Sequence, residues 1–302
     1  MKLLLTGAFH YSETQIERLK TLGFDIVFVA DERGRVPDSA AESEYVICNA
    51  LFQYNDIAAF KKLKYIQLTS AGRDRVPLGY ITAHGITLKT AGNAYSVPMA
   101  EWAIAKILEL YKQTRRFYDA QQRKAWEKIR DLPEVYGKTA VIIGFGNVGT
   151  ELAARLRGFG VNIIAVGTRK PKIDMYDKFC AFENIDNALA ESDIIALTLP
   201  LTEQTRGLFS EKRFSVIKPG AVLVNVARGG LIDEKALLKA LDSGILSGAA
   251  LDVFETEPLP KESPLWERNN VLITPHNAFL SNKTADRLFA LMLEHLKGET
   301  LH

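Results

Sequence analysis

The sequence predicts an α/β protein of two doubly wound parallel-sheet domains with a cleft between them. Three observations carry that expectation. Short apolar runs of strand length alternate with helix-period stretches along nearly the whole chain. The run Thr139–Ile143 passes straight into Gly144, Gly146 and Gly149, spaced G-x-G-x-x-G, and then into a helical stretch from Glu151 to Arg157. A second apolar run, Val161–Val166, closes a βαβ unit around those glycines.

The elements follow in order. Leu3–Thr6 reads as a strand, Glu13–Leu22 as a helix ended by Gly23, and Phe24–Val29 as the next strand. Tyr45–Cys48, Tyr65–Leu68 and Ile86–Lys89 continue the strands, with a helix expected over Asp56–Lys61. The loops Asn49–Phe52 and Thr69–Asp74 follow strands, where open α/β sheets bind ligands. Val97–Arg116 is the longest helical pattern, opened by Pro98. After the glycine stretch come a helix over Ile185–Glu191 and strands at Asp193–Pro200, Ala221–Val226, Gly248–Phe254 and Val271–Thr274. Asp233 suits the cap of a helix from Glu234 to Ser243. Ser281–Leu296 is a helix with no strand left to pair, so it is expected to return to the first domain. The division expected is 1–95 plus 277–302 for one domain and 96–276 for the other.

Composition bounds the function. A chain of 302 residues, 47% apolar and 25% charged, is long enough for two globular domains. A net charge of +2 points to neither nucleic acid nor membrane as partner. No apolar run approaches the ~20 residues that span a bilayer. Met1–Gly7 is too short for a signal segment, so a cytoplasmic location is expected. Cys48 and Cys180 sit in no metal or redox spacing, and no metal is expected.

The glycine spacing is the chemistry of a Rossmann-like dinucleotide site. Gly144 permits a tight turn, Gly146 lets the backbone approach a diphosphate, and Gly149 lets helix and strand pack closely. The diphosphate would lie at the helix N-terminus. An NAD site usually ends its second strand on an acidic residue. Here Gly167 takes that place, followed by Thr168, Arg169, Lys170 and Lys172. A hydroxyl and cations attract a 2′-phosphate that a carboxylate would repel, so NADP(H) is favoured, with NAD(H) as the alternative. A solvated basic turn is the bland reading of the same residues.

Arg228, Glu257 and His276 fall at or beyond strand ends in the second half. Each alone reads as a surface or turn residue. Together they suit hydride transfer to a 2-keto acid. Arg228 can grip carboxylate and carbonyl with a forked pair of hydrogen bonds. His276 can give a proton to the oxygen that becomes the hydroxyl, and Glu257 can orient its ring and favour its charged form.

Gly144–Gly149, Pro200–Thr202, Asn225–Gly229, Asp252–Pro258 and Thr274–His276, with Leu63–Asp74 and Pro98–Glu101, resemble the D-isomer-specific 2-hydroxyacid dehydrogenase family. The resemblance implies a substrate domain and a dinucleotide-binding domain. It implies Arg228 at the substrate, Glu257 paired with His276, and His276 as acid/base. It further implies Ala71 and Gly72 as main-chain donors to the substrate carboxylate. Asn147 and Val148 would lie at the diphosphate, Pro200 and Thr205 in the cofactor site, and Ala227 and Asp252 near the nicotinamide. It implies a homodimer built on the 97–116 helix. The basic turn is closer to NADPH-dependent glyoxylate and hydroxypyruvate reductases, so reduction of a small 2-keto acid to a D-2-hydroxy acid is expected. The alternatives are an NAD-dependent phosphoglycerate or erythronate-phosphate dehydrogenase, for which Arg73 and Arg75 are the candidate phosphate cations, and a non-catalytic NAD(P)-sensing corepressor-like protein. After His276 stand Asn277, Ala278 and Phe279, where many members carry a glycine. A chain ending at His302 leaves no room for an appended regulatory domain, so control by serine is not expected.

Overall fold

The computed structural model describes residues 1–300. The chain forms two compact units, Met1–Tyr95 with Ser281–His302, and Ser96–Leu280. The first begins β1 (Lys2–Thr6), α1 (Glu13–Thr21), β2 (Asp25–Val29), α2 (Asp38–Ala41), β3 (Tyr45–Cys48), α3 (Leu51–Tyr54), β4 (Tyr65–Leu68), α4 (Leu78–Ala83) and β5 (Thr87–Lys89). The second holds α5 (Ser96–Tyr111), α6 (Thr114–Gln122), β6 (Thr139–Ile143), α7 (Asn147–Gly158), β7 (Asn162–Gly167), β8 (Lys178–Ala181), α8 (Ile185–Ala190), β9 (Ile194–Leu197), α9 (Glu211–Phe214), β10 (Ala221–Asn225), α10 (Glu234–Asp242), β11 (Leu246–Leu251) and β12 (Val271–Ile273). The chain then rejoins the first unit as α11 (Thr284–Thr300).

Both sheets are parallel throughout. The first runs β2-β1-β3-β4-β5 and the second β12-β11-β10-β9-β6-β7-β8. In each, the strand order reverses once: between β1 and β3, and between β6 and β9. Loops leave the sheet in opposite directions at such a point and open a crevice at the strand C-terminal ends.

Helices cover both faces, so the central strands are apolar on both sides. β9 and β10 are buried at every residue. The first unit completes one of its cores with Leu288, Phe289, Met292, Leu293 and Leu296 of α11, packed on Leu3, Leu5 and Tyr45. Asp233 caps α10 by accepting from Lys235 and Ala236. Among the described residues no helix is long and apolar enough to cross a membrane.

Three expectations need correction. The single helix over 97–116 is two, because Gln113 takes a left-handed conformation at φ 48° and separates α5 from α6. The helix expected over Asp56–Lys61 is one 3₁₀ turn, Ile57–Ala59, capped by Asp56, and the helical residues lie earlier, in α3. The boundary expected after His276 lies after Leu280, because Asn277 and Ala278 donate to the Asp252 carboxylate and stay with the second unit.

Candidate active site

The second unit gathers its chemistry at the C-terminal ends of its strands. Gly144 leaves β6 at φ 91°, and a Cβ there would lie 2.6 Å from Leu199. Only glycine fits, so the loops after β6 and β9 close on one another. Thr198 Oγ1 seals them by donating to Gly144 O at 2.8 Å. Gly149 faces Gly144 O, Ile142 and Thr198 Oγ1 at 3.0–3.2 Å, the close approach that lets α7 lie on β6. Gly146 differs: nothing stands within 4 Å of its missing side chain. It is the N-cap of α7 with no side-chain bond to the helix, and it and Asn147 are exposed. The first N–H groups of α7, at Asn147 and Val148, therefore point into open space, where an anion is stabilised. The glycines press inward at two positions and leave a cradle at the third, which fits a dinucleotide diphosphate.

Thr168, Arg169 and Lys170 follow β7 at the same edge, all exposed. Pro200 is exposed on the turn after β9. Thr205 is buried, and its hydroxyl is occupied locally: it donates to Pro200 O at 2.9 Å and accepts Thr202 N–H at 2.7 Å. It shapes the turn that carries Pro200.

Arg228 follows β10 in a turn held by Asn225. The fully buried Asn225 accepts Ala227 N–H at 3.0 Å and donates to Arg228 O at 3.0 Å. Arg228 Nη1 donates to Ala227 O at 2.8 Å. Beyond it, a Cβ on Gly229 would overlap the Phe254 carbonyl carbon at 1.8 Å. That contact backs the Arg228 turn directly onto the segment leading to Glu257. Asn225 opens the Asn225–Gly229 stretch of the sequence, but its two bonds across the turn have no signal of their own there.

Glu257 and His276 meet. His276 Nδ1 lies 2.8 Å from Glu257 Oε2, and each side chain is about a third exposed, 36% and 37%. Glu257 also accepts Phe254 N–H at 3.0 Å, which orients its carboxylate. His276 sits at φ 51°, with its N–H donating to Asp252 O at 2.8 Å. Asp252, 1% exposed, organises this loop: it accepts Thr274 Oγ1 at 2.5 Å, Asn277 N–H at 2.8 Å and Ala278 N–H at 2.9 Å. Its carboxylate is thus bonded to the histidine loop. Ala227, expected beside it at the nicotinamide, is buried.

In the first unit, Ala71 and Gly72 lie on the loop after β4. Their N–H groups donate to nothing among the described residues, while Gly72 O accepts from Ser70 Oγ at 3.1 Å. A cavity of about 540 Å³ in the second unit opens at the opposite edge of the sheet, beside Lys138, Asp193 and Lys218, away from this chemistry.

A family model described as "D-isomer specific 2-hydroxyacid dehydrogenase, NAD binding domain" matches residues 104–278. The chain is 37% identical to D-3-phosphoglycerate dehydrogenase 2, chloroplastic, of Arabidopsis thaliana over 80% of this chain, though it spans only 40% of that protein. It is 32% identical to the glyoxylate reductase of Korarchaeum cryptofilum, over 79% of this chain and 73% of the relative. Among solved structures, a glyoxylate reductase from Paecilomyes thermophila superposes with a TM-score of 0.86 at 29% identity, covering 99% of this chain and 95% of the other.

Proposed function

The chain belongs to the D-isomer specific 2-hydroxyacid dehydrogenase family, and from that premise we propose that it reduces a small 2-keto acid, of the glyoxylate or hydroxypyruvate kind, to the D-2-hydroxy acid with NADPH. The observation that carries the reading is the His276–Glu257 pair at 2.8 Å, on loops at the edge that also holds the open glycine cradle.

Each residue has a task in this reading. The cradle at Gly146, Asn147 and Val148 holds the diphosphate, and Thr168, Arg169 and Lys170 meet the 2′-phosphate. Asp252, Ala227 and the Pro200 turn shaped by Thr205 would hold the nicotinamide end of the cofactor. When bound, the reduced nicotinamide supplies a hydride to the substrate C2. Arg228 binds the substrate carboxylate and carbonyl, and the N–H groups of Ala71 and Gly72 add donors to the carboxylate. Glu257 accepts a hydrogen bond from Nδ1–H of His276, which leaves Nε2 to trade protons. In reduction Nε2 gives its proton to the carbonyl oxygen, and in oxidation it takes the proton back.

The second reading, oxidation of a phosphorylated hydroxy acid, is favoured by the identity to the plant phosphoglycerate dehydrogenase. A homodimer is part of our proposal, supported by the aromatic side chains that stand out on and after α6, with Trp126 94% exposed and Tyr118 62%. The test is a panel of glyoxylate, hydroxypyruvate, pyruvate and a phosphorylated keto acid, each with NADPH and NADH, read by nicotinamide absorbance. Turnover of a small keto acid with NADPH above NADH is the expected result. No turnover with any of them would overturn the reading.

A further inference from the structure

The chain between β7 and β8 has a long way to travel. The two strands pair in parallel, with Ile164 beside Lys178 and Gly167 beside Ala181. Residues 168–177 must therefore run back along the whole strand before β8 can begin. Almost all of that run is exposed. Only Pro171 and Tyr176 are half-buried, and they meet: the Tyr176 hydroxyl donates to Pro171 O at 3.4 Å. The Tyr176 ring also stands edge-on to Phe145, with centroids 5.6 Å apart and planes at 80°. Phe145 lies between Gly144 and Gly146, inside the glycine turn. Asp177 fixes the base of the run: its carboxylate accepts Ile163 N–H at 2.7 Å, and its own N–H donates to Ile163 O at 2.9 Å.

The side chains of Thr168, Arg169 and Lys170 make no hydrogen bond or ion pair among the described residues. Nothing on the turn itself therefore sets its height relative to the glycine cradle. The aromatic contact does. Tyr176 reaches back from the start of β8 to the glycine turn and touches the chain at Pro171 on the way. An edge-to-face pair of this kind is worth up to about tenfold in an equilibrium constant. A charge-assisted bond needs its partners within about 3 Å, so a turn that drifts loses the 2′-phosphate. The diphosphate is held separately, by the N–H groups of Asn147 and Val148, and would not feel the drift.

We propose that Tyr176 is a positioning residue for cofactor choice: packed on Phe145 and bonded to Pro171, it holds the Thr168–Lys170 turn beside the glycine cradle, where the turn's hydroxyl and cations meet the 2′-phosphate of NADPH. The proposal rests on the NADPH reading above and adds the side chain that sets the turn. Every residue it uses lies in the second unit.

The test is the binding of NADPH and of NADH to the purified protein, followed by fluorescence, for wild type, Tyr176→Ala and Tyr176→Phe. Wild type should bind NADPH more tightly; equal binding would overturn the cofactor reading and this proposal with it. Given that preference, Tyr176→Ala should weaken NADPH about tenfold and NADH by less than about twofold. Tyr176→Phe keeps the ring and loses only a long hydrogen bond, so it should stay within about threefold of wild type for both cofactors. A Tyr176→Ala protein that keeps the wild-type preference, or that loses affinity for both cofactors alike as a merely structural defect would, overturns the positioning role and leaves the cofactor reading standing. Should Tyr176→Ala fail to fold, Tyr176→Leu keeps apolar bulk without the aromatic edge. It should lower the NADPH preference about threefold, and an unchanged preference would overturn the proposal.

Discussion

His276 holds a backbone conformation that residues with a Cβ avoid, at a strain of about 1–3 kcal/mol. The strain persists because Asp252 grips the loop on both sides of it, through Thr274, Asn277 and Ala278. Asp252→Asn puts an NH₂ where an acceptor is needed. It should cost about 1–3 kcal/mol in chemical denaturation, because at least one loop donor loses its acceptor. His276→Ala should lower kcat roughly 10²–10⁴-fold with NADPH affinity retained; equal loss of both would remove His276 from the proton-transfer role. Residues of this kind differ in how legible they are. His276 and Glu257 stand out because an imidazole and a carboxylate beyond strand ends have an obvious joint chemistry. Tyr176 does not, since Ile173-Asp174-Met175-Tyr176 reads as an ordinary loop and nothing local says that Phe145 and Pro171 converge on it. The resemblance implies Asp252 only as a cofactor contact; its bonds to three loop groups depend on a register that the folded sheet provides.

The glycine turn and α7 form the element most open to reading, because three glycines meet three distinct steric demands. The turn after β7 is equally local. Neutralising Arg169 and Lys170 together should weaken NADPH binding about tenfold or more while NADH changes little, as titration by fluorescence would measure. Equal weakening would mean that the turn does not read the extra phosphate. Other elements escape local reading. Nothing between Tyr111 and Thr114 is a helix breaker, so the apolar period runs on through Gln113. β8 has only Cys180 buried among its four residues, too few to show alternation. α11 was expected to rejoin the first unit, and its docking face can be weighed. Leu296 is fully buried, and Leu296→Ala should cost about 2–5 kcal/mol in a denaturant titration.

At the scale of the molecule, stability should fall as the medium turns acidic, in two stages. Burial, then the nearby Lys89, holds His295 below the ordinary imidazole range. The unfolded chain therefore binds that proton more readily, and stability declines once pH drops below about 6.5. Burial pushes the Asp193 carboxyl up, but the hydrogen bond from Lys218, with Thr139 N–H and Lys138, outweighs it and holds the group low. Its contribution is present above the usual carboxylate range and is lost as pH falls through the depressed value. Denaturant midpoints from pH 8 to 3 would measure the decline. The alternation of elements makes two sheets legible, and a last helix with no strand left to pair makes legible that the second unit is inserted within the first, between Tyr95 and Ser281. That insertion orders events on the ribosome. The second unit emerges as one uninterrupted stretch and can close while the chain is still growing. The first must wait with Leu3 and Leu5 uncovered until α11 has left the exit tunnel, so chains cut off after residue 280 and held on the ribosome by a linker that fills the tunnel should be digested by protease over residues 1–95 yet resist it over 96–280.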